Sequence, residues 1–211
     1  MLNFYNSSII DRNLLEESFN AIQQRNPVEI ITGEEKEKLY QQTISAIRTP
    51  NETKNFSFEN LFKIKCSAGN FYIAQCAIDF GYPPSQMGYP TSTPQHILQL
   101  IGIAKSNIDL GNTFIRPETK VDKFLSHFMN HDVIFNQSEQ FSERYYISSD
   151  KKDIIRQTFD PLFLDGISTC NDLLLATKGT EMYISFSSAL SAEQGIMITD
   201  VFSKCTFLSK V

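Results

Sequence analysis

Tryptophan is absent from this chain, glycine supplies only nine of 211 residues, and the four cysteines show no C-x-x-C spacing. Each absence removes a class of function. Without closely spaced thiols, neither a zinc ribbon nor a thioredoxin-type site is expected. Without G-x-G-x-x-G, a Walker-type glycine loop or G-x-S-x-G, the dinucleotide, P-loop and hydrolase-elbow readings have no support. No stretch nears the roughly 18 apolar residues of a membrane span, and Met1 to Ser8 has neither the basic region nor the apolar run of a signal peptide. A soluble, cytoplasmic protein is the expectation. Basic residues are also unclustered: 19 Lys and Arg stand against 24 Asp and Glu, for a net charge of -5. A nucleic-acid surface needs concentrated positive charge to displace counterions, so nucleic acid is not an expected partner.

What is present is a strongly patterned chain, 41% hydrophobic, with 17 Phe and eight Tyr to supply a core. A first helix is expected near residues 9 to 24, with Leu14, Leu15, Ser18, Phe19 and Ile22 on one side, ended by Asn26-Pro27. After the apolar run Val28 to Ile31, Thr32 and Glu35 have the spacing of a capping box. Leu39, Tyr40, Thr43, Ile44 and Ile47 continue a second helix to Thr49-Pro50. The polar stretch from Pro50 to Asn55 reads as a linker.

From Phe56 the apolar period changes from 3.6 to 2, the mark of sheet. A turn at Ala68-Gly69 would set Ile64 opposite Ile73 and Cys66 opposite Phe71, with Lys63, Lys65, Tyr72 and Ala74 on the other face. Cys76 would then face Leu61, which makes a Cys66–Cys76 disulfide unfavourable. Strand-like residues resume from Ile97 to Ala104. The block from Asn107 to Phe186 is the most consistent part of the chain. Thr119 is placed to cap a helix carrying Val121, Phe124, Leu125, Phe128 and Met129. Phe141, Tyr145 and Ile147 alternate as one strand face, and Asp150 and Asp160-Pro161 begin two further helices. Lys178-Gly179 is a hairpin turn that sets Leu175 opposite Met182 and Leu173 opposite Ile184. Ser191 with Gln194 starts a last helix whose Ile198, Val201, Phe202 and Cys205 face inward.

Within that block, Ile108-Asp-Leu, Phe114-Ile-Arg-Pro-Glu118, Asp132-Val-Ile-Phe135, Phe141-Ser-Glu-Arg-Tyr-Tyr-Ile147 and Ile155-Arg-Gln-Thr-Phe-Asp-Pro161 follow one another in an informative order and spacing. That order resembles a family of uncharacterised bacterial proteins. The resemblance covers under half the chain and implies a helix after Arg-Pro-Glu, then an aromatic strand and a helix ending in Phe-x-Pro. It carries no activity. Other members often have membrane segments, for which this chain shows no matching apolar run.

Few residues are left over for chemistry. His127 and His131 have the i, i+4 spacing of a metal pair, but they share a helix side with Lys120 and Lys123 and have no evident third ligand, so no metal or other cofactor is assigned. Asp150 and Asp160 could form an acid–base pair, yet capping accounts for both. Cys170 could be a nucleophile activated by His96, His127 or His131, whereas a buried, inert thiol is the plainer reading. The segment from Phe80 to Pro94 has no such plain account. Its Phe80, Tyr82, Pro83, Pro84, Tyr89 and Pro90 combine rigid backbone with aromatic area, which suits a partner-binding loop, or else a packed connector. Ile196 and Phe207, opposite the inward stripe of the last helix, suggest a self-association patch and a homodimer.

The expected architecture is α+β: an antiparallel or mixed sheet with helices packed on it over residues 56–208, preceded by two docked helices within residues 1–50, or all of it one domain. The expected function is a non-catalytic interaction or binding module with a protein or small-molecule partner. Two alternatives stand beside it: small-molecule or lipid binding in a cup between a curved sheet and the C-terminal helix, and a cysteine- or histidine-dependent enzyme.

Overall fold

The computed structural model describes residues 9–47, 55–79, 96–119, 133, 135, 137–188 and 190–209. Its centre is one antiparallel sheet of eight strands: β1 (Val28–Ile30), β2 (Asn55–Cys66), β3 (Gly69–Asp79), β4 (His96–Lys105), β5 (Asn112–Pro117), β6 (Tyr145–Ser149), β7 (Leu173–Lys178) and β8 (Glu181–Phe186). They lie in the order β1-β2-β3-β4-β8-β7-β5-β6. The helices among the described residues are α1 (Ile9–Gln23), α2 (Gly33–Ile47), α3 (Glu139–Arg144), α4 (Lys152–Thr158), α5 (Pro161–Ser168) and α6 (Ala192–Ser203). The fold is α+β, with the N-terminal segment contributing edge strand β1 as well as two helices.

Side chains alternate between the two faces of a strand, so the period-2 pattern sorts the sheet into two cores. On the first face Phe62, Ile64, Phe71, Ile73, Leu100, Ile115, Ile147, Leu173, Leu175, Met182 and Ile184 are buried with residues of α1, α3, α5 and α6. Rings of Phe159, Phe163 and Phe207 close that core: Phe159 stacks on Phe207 at 5.5 Å and meets Phe163 edge-on at 4.9 Å. On the second face a smaller set, Phe58, Leu61, Ala74, Cys76, Ile101, Ile103 and Tyr183, packs beneath α2.

Close approach decides where α6 sits. Gly102 of β4 lies under it, and an added Cβ would strike Ile198 Cγ2 and come within 2.7 Å of the Phe202 ring. Gly195 plays the same part where α6 meets α1: a Cβ there would lie 2.8 Å from Ile22 and 3.0 Å from the Ser18 hydroxyl. Beneath α1, Gln75 of β3 is fully buried; it donates to the Leu15 carbonyl at 3.1 Å and accepts from Asn60 at 2.8 Å. A buried amide with both ends bonded fixes a register without leaving an unsatisfied group.

The first hairpin turns one residue earlier than the spacing suggests, at Ser67-Ala68, and the second one residue later, at Gly179-Thr180. Ile64 pairs with Phe71 and Cys66 with Gly69, while Leu175 pairs with Ile184 and Leu173 with Phe186. The slip is two residues in each pairing, so every side chain keeps the expected face. In the second hairpin Gly179, at φ 63°, takes the left-handed conformation that the bend requires. All four cysteines are free.

Several local expectations are corrected. Phe141 belongs to helix α3, not to a strand; it reaches the same core from the helix and stacks on Tyr145 at 5.3 Å. Phe114 to Pro117 is strand β5, and the stretch from Lys120 to Asp132 that holds the expected amphipathic helix lies outside the described residues. Asp150 caps no helix, because its carboxylate accepts the backbone and side-chain N–H groups of Asn112, each at 2.8 Å. Asp160 does cap α5, accepting from the Phe163 amide at 2.9 Å with Pro161 at the first helical position. Ser191 makes no side-chain cap; Gln194 donates instead to Ser188 at 3.0 Å. Phe207 is only 4% exposed, so it cannot form a surface patch for self-association.

Gly102→Ala is expected to lower unfolding free energy by roughly 1–3 kcal/mol, the usual effect of overpacking a filled core. Denaturant unfolding measures it, and an unchanged midpoint would show that α6 does not bear on β4 as described.

Candidate functional site

The space beneath the C-terminal helix, where the sequence suggested a cup, is not where the described residues leave room. The aromatic-proline segment with Phe80, Tyr82, Pro83, Pro84, Tyr89 and Pro90 lies outside the described residues, as do His127 and His131. The space beneath the C-terminal helix α6 is occupied: Ile198 and Phe202 press on Gly102, and Phe202 contacts the Phe71 ring at 4.9 Å. Open volume instead lies on the opposite face, beside α2.

The floor of that groove follows from strand register. Successive pairings align Glu29, Lys63, Tyr72, Ile103, Tyr183, Ala176, Phe114 and Ser148 in one row that crosses all eight strands on the second face. Ile103 stands between two tyrosines, since Tyr72 is its partner on β3 and Tyr183 its partner on β8. Along one side runs α2, presenting Glu35, Lys38, Leu39 and Gln42, the i, i+3, i+4, i+7 stripe of a single helical face. The other side is the strand-end row of Asn70, Lys105 and Glu181, closed by Ser209, whose amide donates to the Lys105 carbonyl at 2.7 Å. The groove has a volume of about 290 Å³.

Specific contacts hold α2 at this distance from the sheet. Gly33, at φ 68°, turns the chain into the helix. The bulge at Glu59 leaves that residue out of the β2–β3 pairing, and its carbonyl accepts from Lys36 at 3.0 Å. Tyr40 donates to the Phe56 carbonyl at 2.6 Å and packs edge-on against Phe58 at 5.4 Å. At the far end Lys178 donates to the Ser45 carbonyl at 3.1 Å. Glu35 is not engaged in a capping box with Thr32; it accepts a hydrogen bond from the Tyr72 hydroxyl at 2.9 Å.

The charged groups of the groove divide into two kinds. Both carboxylates are tied to tyrosines, Glu35 to Tyr72 and Glu181 to Tyr183 at 2.6 Å. Burial, then the Glu35 hydrogen bond and the negative charge of Glu35 and Glu29, push the Tyr72 hydroxyl up from 10.0 to about 12. Tyr183 is pushed up further, by burial first and then by Glu181. Lys38, Lys63 and Lys105, in contrast, form no ion pair among the described residues; Lys63 lies over the Tyr72 ring at 5.8 Å.

The cysteine reading is opposed by position. Cys170 is 1% exposed, and burial raises its thiol despite the Thr169 hydroxyl, whereas a nucleophilic cysteine needs a lowered value. Cys205 and Cys76 are also buried and raised, each chiefly by desolvation. Asp160, besides its cap, accepts from Thr206 at 2.7 Å, so the two aspartates considered as an acid–base pair both hold structure together. No group of three or more metal-ligating side chains occurs among the described residues, and no helix among them is long and apolar enough to cross a membrane.

No protein-family model matches the chain, and no curated protein matches it. Among solved structures it is similar to the crystal structure of the mycobacterial trehalose monomycolate transport factor A, TtfA. That likeness has 7% identity and a TM-score of 0.41, and covers 95% of this chain and 98% of that one. A likeness this faint leaves the groove to be interpreted from its own residues.

Two outcomes are expected. The stability difference between the protein and Tyr72→Phe should be constant up to pH 10 and vanish as pH rises through about 12, because a hydroxyl raised on folding contributes fully only below its unfolded value. Melting curves across that range measure it, and a difference that persists undiminished above pH 12 would show that the hydroxyl is not the donor. With a thiol reagent in the native state, half-buried Cys66 should label first and the three buried cysteines only on unfolding. Rapid native labelling of Cys170 would restore the cysteine-enzyme reading.

Proposed function

We propose that this protein is a non-catalytic binding module that holds a small, largely apolar molecule in the groove between α2 and the β3–β4–β8 floor. The supporting observation is the Tyr72–Ile103–Tyr183 row, which lines the groove beside α2 with Ile103 and Tyr183 at its enclosed bottom, each 4% exposed. At about 290 Å³ the groove falls just short of the usual range of small-molecule sites, which run from roughly 300 Å³ upward, so it suits a small ligand. Leu39, Ile103, Ala104 and two tyrosine rings offer apolar area, and the eight polar or charged residues that make up the rest of the lining supply the groups that set orientation. Tyrosine rings offer that area with little loss of side-chain freedom on binding. The expected cup beneath the C-terminal helix is thus replaced by a groove on the opposite face, beside the second helix. A chemical role has less to draw on, since Cys170, Asp150 and Asp160 are committed to packing or to hydrogen bonds.

The neutral fluorophore N-phenyl-1-naphthylamine tests this reading, because its two ring systems suit an apolar slot flanked by tyrosines. One molecule per chain should bind with a blue-shifted rise in emission. Leu39→Trp, which extends a half-buried α2 side chain into the groove, should weaken binding at least about tenfold, as occlusion of the main apolar contact requires. Its melting temperature should stay within a few degrees of the parent. Equal binding by both proteins, or none by either, would overturn the proposal.

A further inference from the structure

Resting on the groove reading above, we infer that the molecule held there is an amphiphilic anion, its apolar part on Ile103 between Tyr72 and Tyr183 and its carboxylate or phosphate facing Lys38, Lys63 and Lys105. Five lysines surround this region, and their states differ. Lys36 is engaged by the Glu59 carbonyl and Lys65 by Glu29 at 3.4 Å. Lys38, Lys63 and Lys105 have no carboxylate within ion-pair distance among the described residues, and all three line the groove. They come from three separate elements, α2, β2 and β4, so their convergence is a product of the fold and not of one charged helix face.

The carboxylates that could neutralise them are held elsewhere. Glu181 is the direct cross-strand partner of Lys105, yet its carboxylate accepts from the Tyr183 hydroxyl at 2.6 Å. Glu35 accepts from Tyr72 and belongs to the same α2 stripe as Lys38. Three lysines against two glutamates leave the lining at +1 on a chain whose total is -5. A ligand anion would gain charge-assisted hydrogen bonds from ammonium groups that have no carboxylate partner among the described residues, while the tyrosine–glutamate pairs stay intact. Partial enclosure strengthens such contacts relative to an open surface, where ion pairs contribute little. Lys63, already over the Tyr72 ring, can meet the anion without leaving the ring face on which the apolar part rests.

The test is displacement of bound N-phenyl-1-naphthylamine by decanoate, decyl phosphate and decanol, which share a chain and differ in the head, with acetate and inorganic phosphate as heads without a chain. Decanoate and decyl phosphate are expected to displace the fluorophore at concentrations about tenfold lower than decanol, the scale of one or two charge-assisted hydrogen bonds. Acetate and phosphate should not displace it. In Lys63→Gln/Lys105→Gln the advantage over decanol should shrink to about twofold, and added salt should shrink it in the parent protein. If decanol competes as well as decanoate, the ligand is not an anion, and the groove reading survives alone. A double variant that keeps the full preference would show that the lysines do not read the head. Displacement by phosphate or acetate alone would mean a small anion with no apolar part. Failure of the fluorophore to bind at all would remove the groove reading and this inference with it.

Discussion

Four residue pairs, from Gly102 with Ile184 to Lys105 with Glu181, join the β1–β4 half of the sheet to the half formed by β5 to β8. Everything else in the molecule depends on that short ladder. It is clamped on the first face, where Gly102 lets Ile198 and Phe202 come into direct contact with the backbone of β4. On the second face the same ladder contributes Ile103 and Tyr183, which are the floor of the groove. The joint that holds the sheet together and the surface available to a ligand are therefore two sides of one structure. Tight packing on one side gives a rigid base for an open site on the other, since close-packed interiors deform little.

The groove exists because α2 is fastened at its edges. Its contacts are a bulge carbonyl, a tyrosine to Phe56, a tyrosine from β3 and a lysine from β7, with apolar packing concentrated around Tyr40, Phe56 and Phe58. By contrast α6 lies flat on the sheet because glycine at 102 and 195 removes the side chains that would hold it off. Among the described residues no glycine lines the groove beside α2; tyrosines stand there instead, and the helix rests beside them. Two tyrosine hydroxyls need acceptors in a half-buried place, and Glu35 and Glu181 supply them. That pairing satisfies the tyrosines and leaves the lysines at the margin without carboxylate partners among the described residues.

Much of the fold was legible because local patterns are strict. The stripe of Leu15, Ser18 and Ile22, the alternation from Phe62 to Ile73, and the inward set Ile198, Val201, Phe202 and Cys205 are all buried as their periods require. Pairing was less legible. Leu173 and Ile184 share a face as expected, yet each is matched with a residue two positions away, because alternation constrains parity and only the turn at Gly179-Thr180 constrains register. Phe141 misled for a related reason: its spacing to Tyr145 and Ile147 fits one strand face, while three residues of helix and two of strand bring the same side chains together. Asp150 had the composition of a cap, but Asn112, 38 residues earlier, competes for its carboxylate.

The sequence by itself determined which side chains go inward, that strands and helices share one α+β core, and that the familiar cofactor loops and paired thiols are missing. Periodicity and turn chemistry act over a few residues, and those properties are decided at that range. The groove was decided only by tertiary structure. Its lining comes from α2, β2, β3, β4, β8 and Ser209, so residues from 35 to 209 meet with no common spacing to betray them. In the sequence Lys63 and Tyr72 fall together on the mixed face of one hairpin, and nothing there marks them as a site. Strand pairing gives them, with Ile103 and Tyr183, a shared surface, because hydrogen-bonded neighbours in a sheet are set by the path of the whole chain.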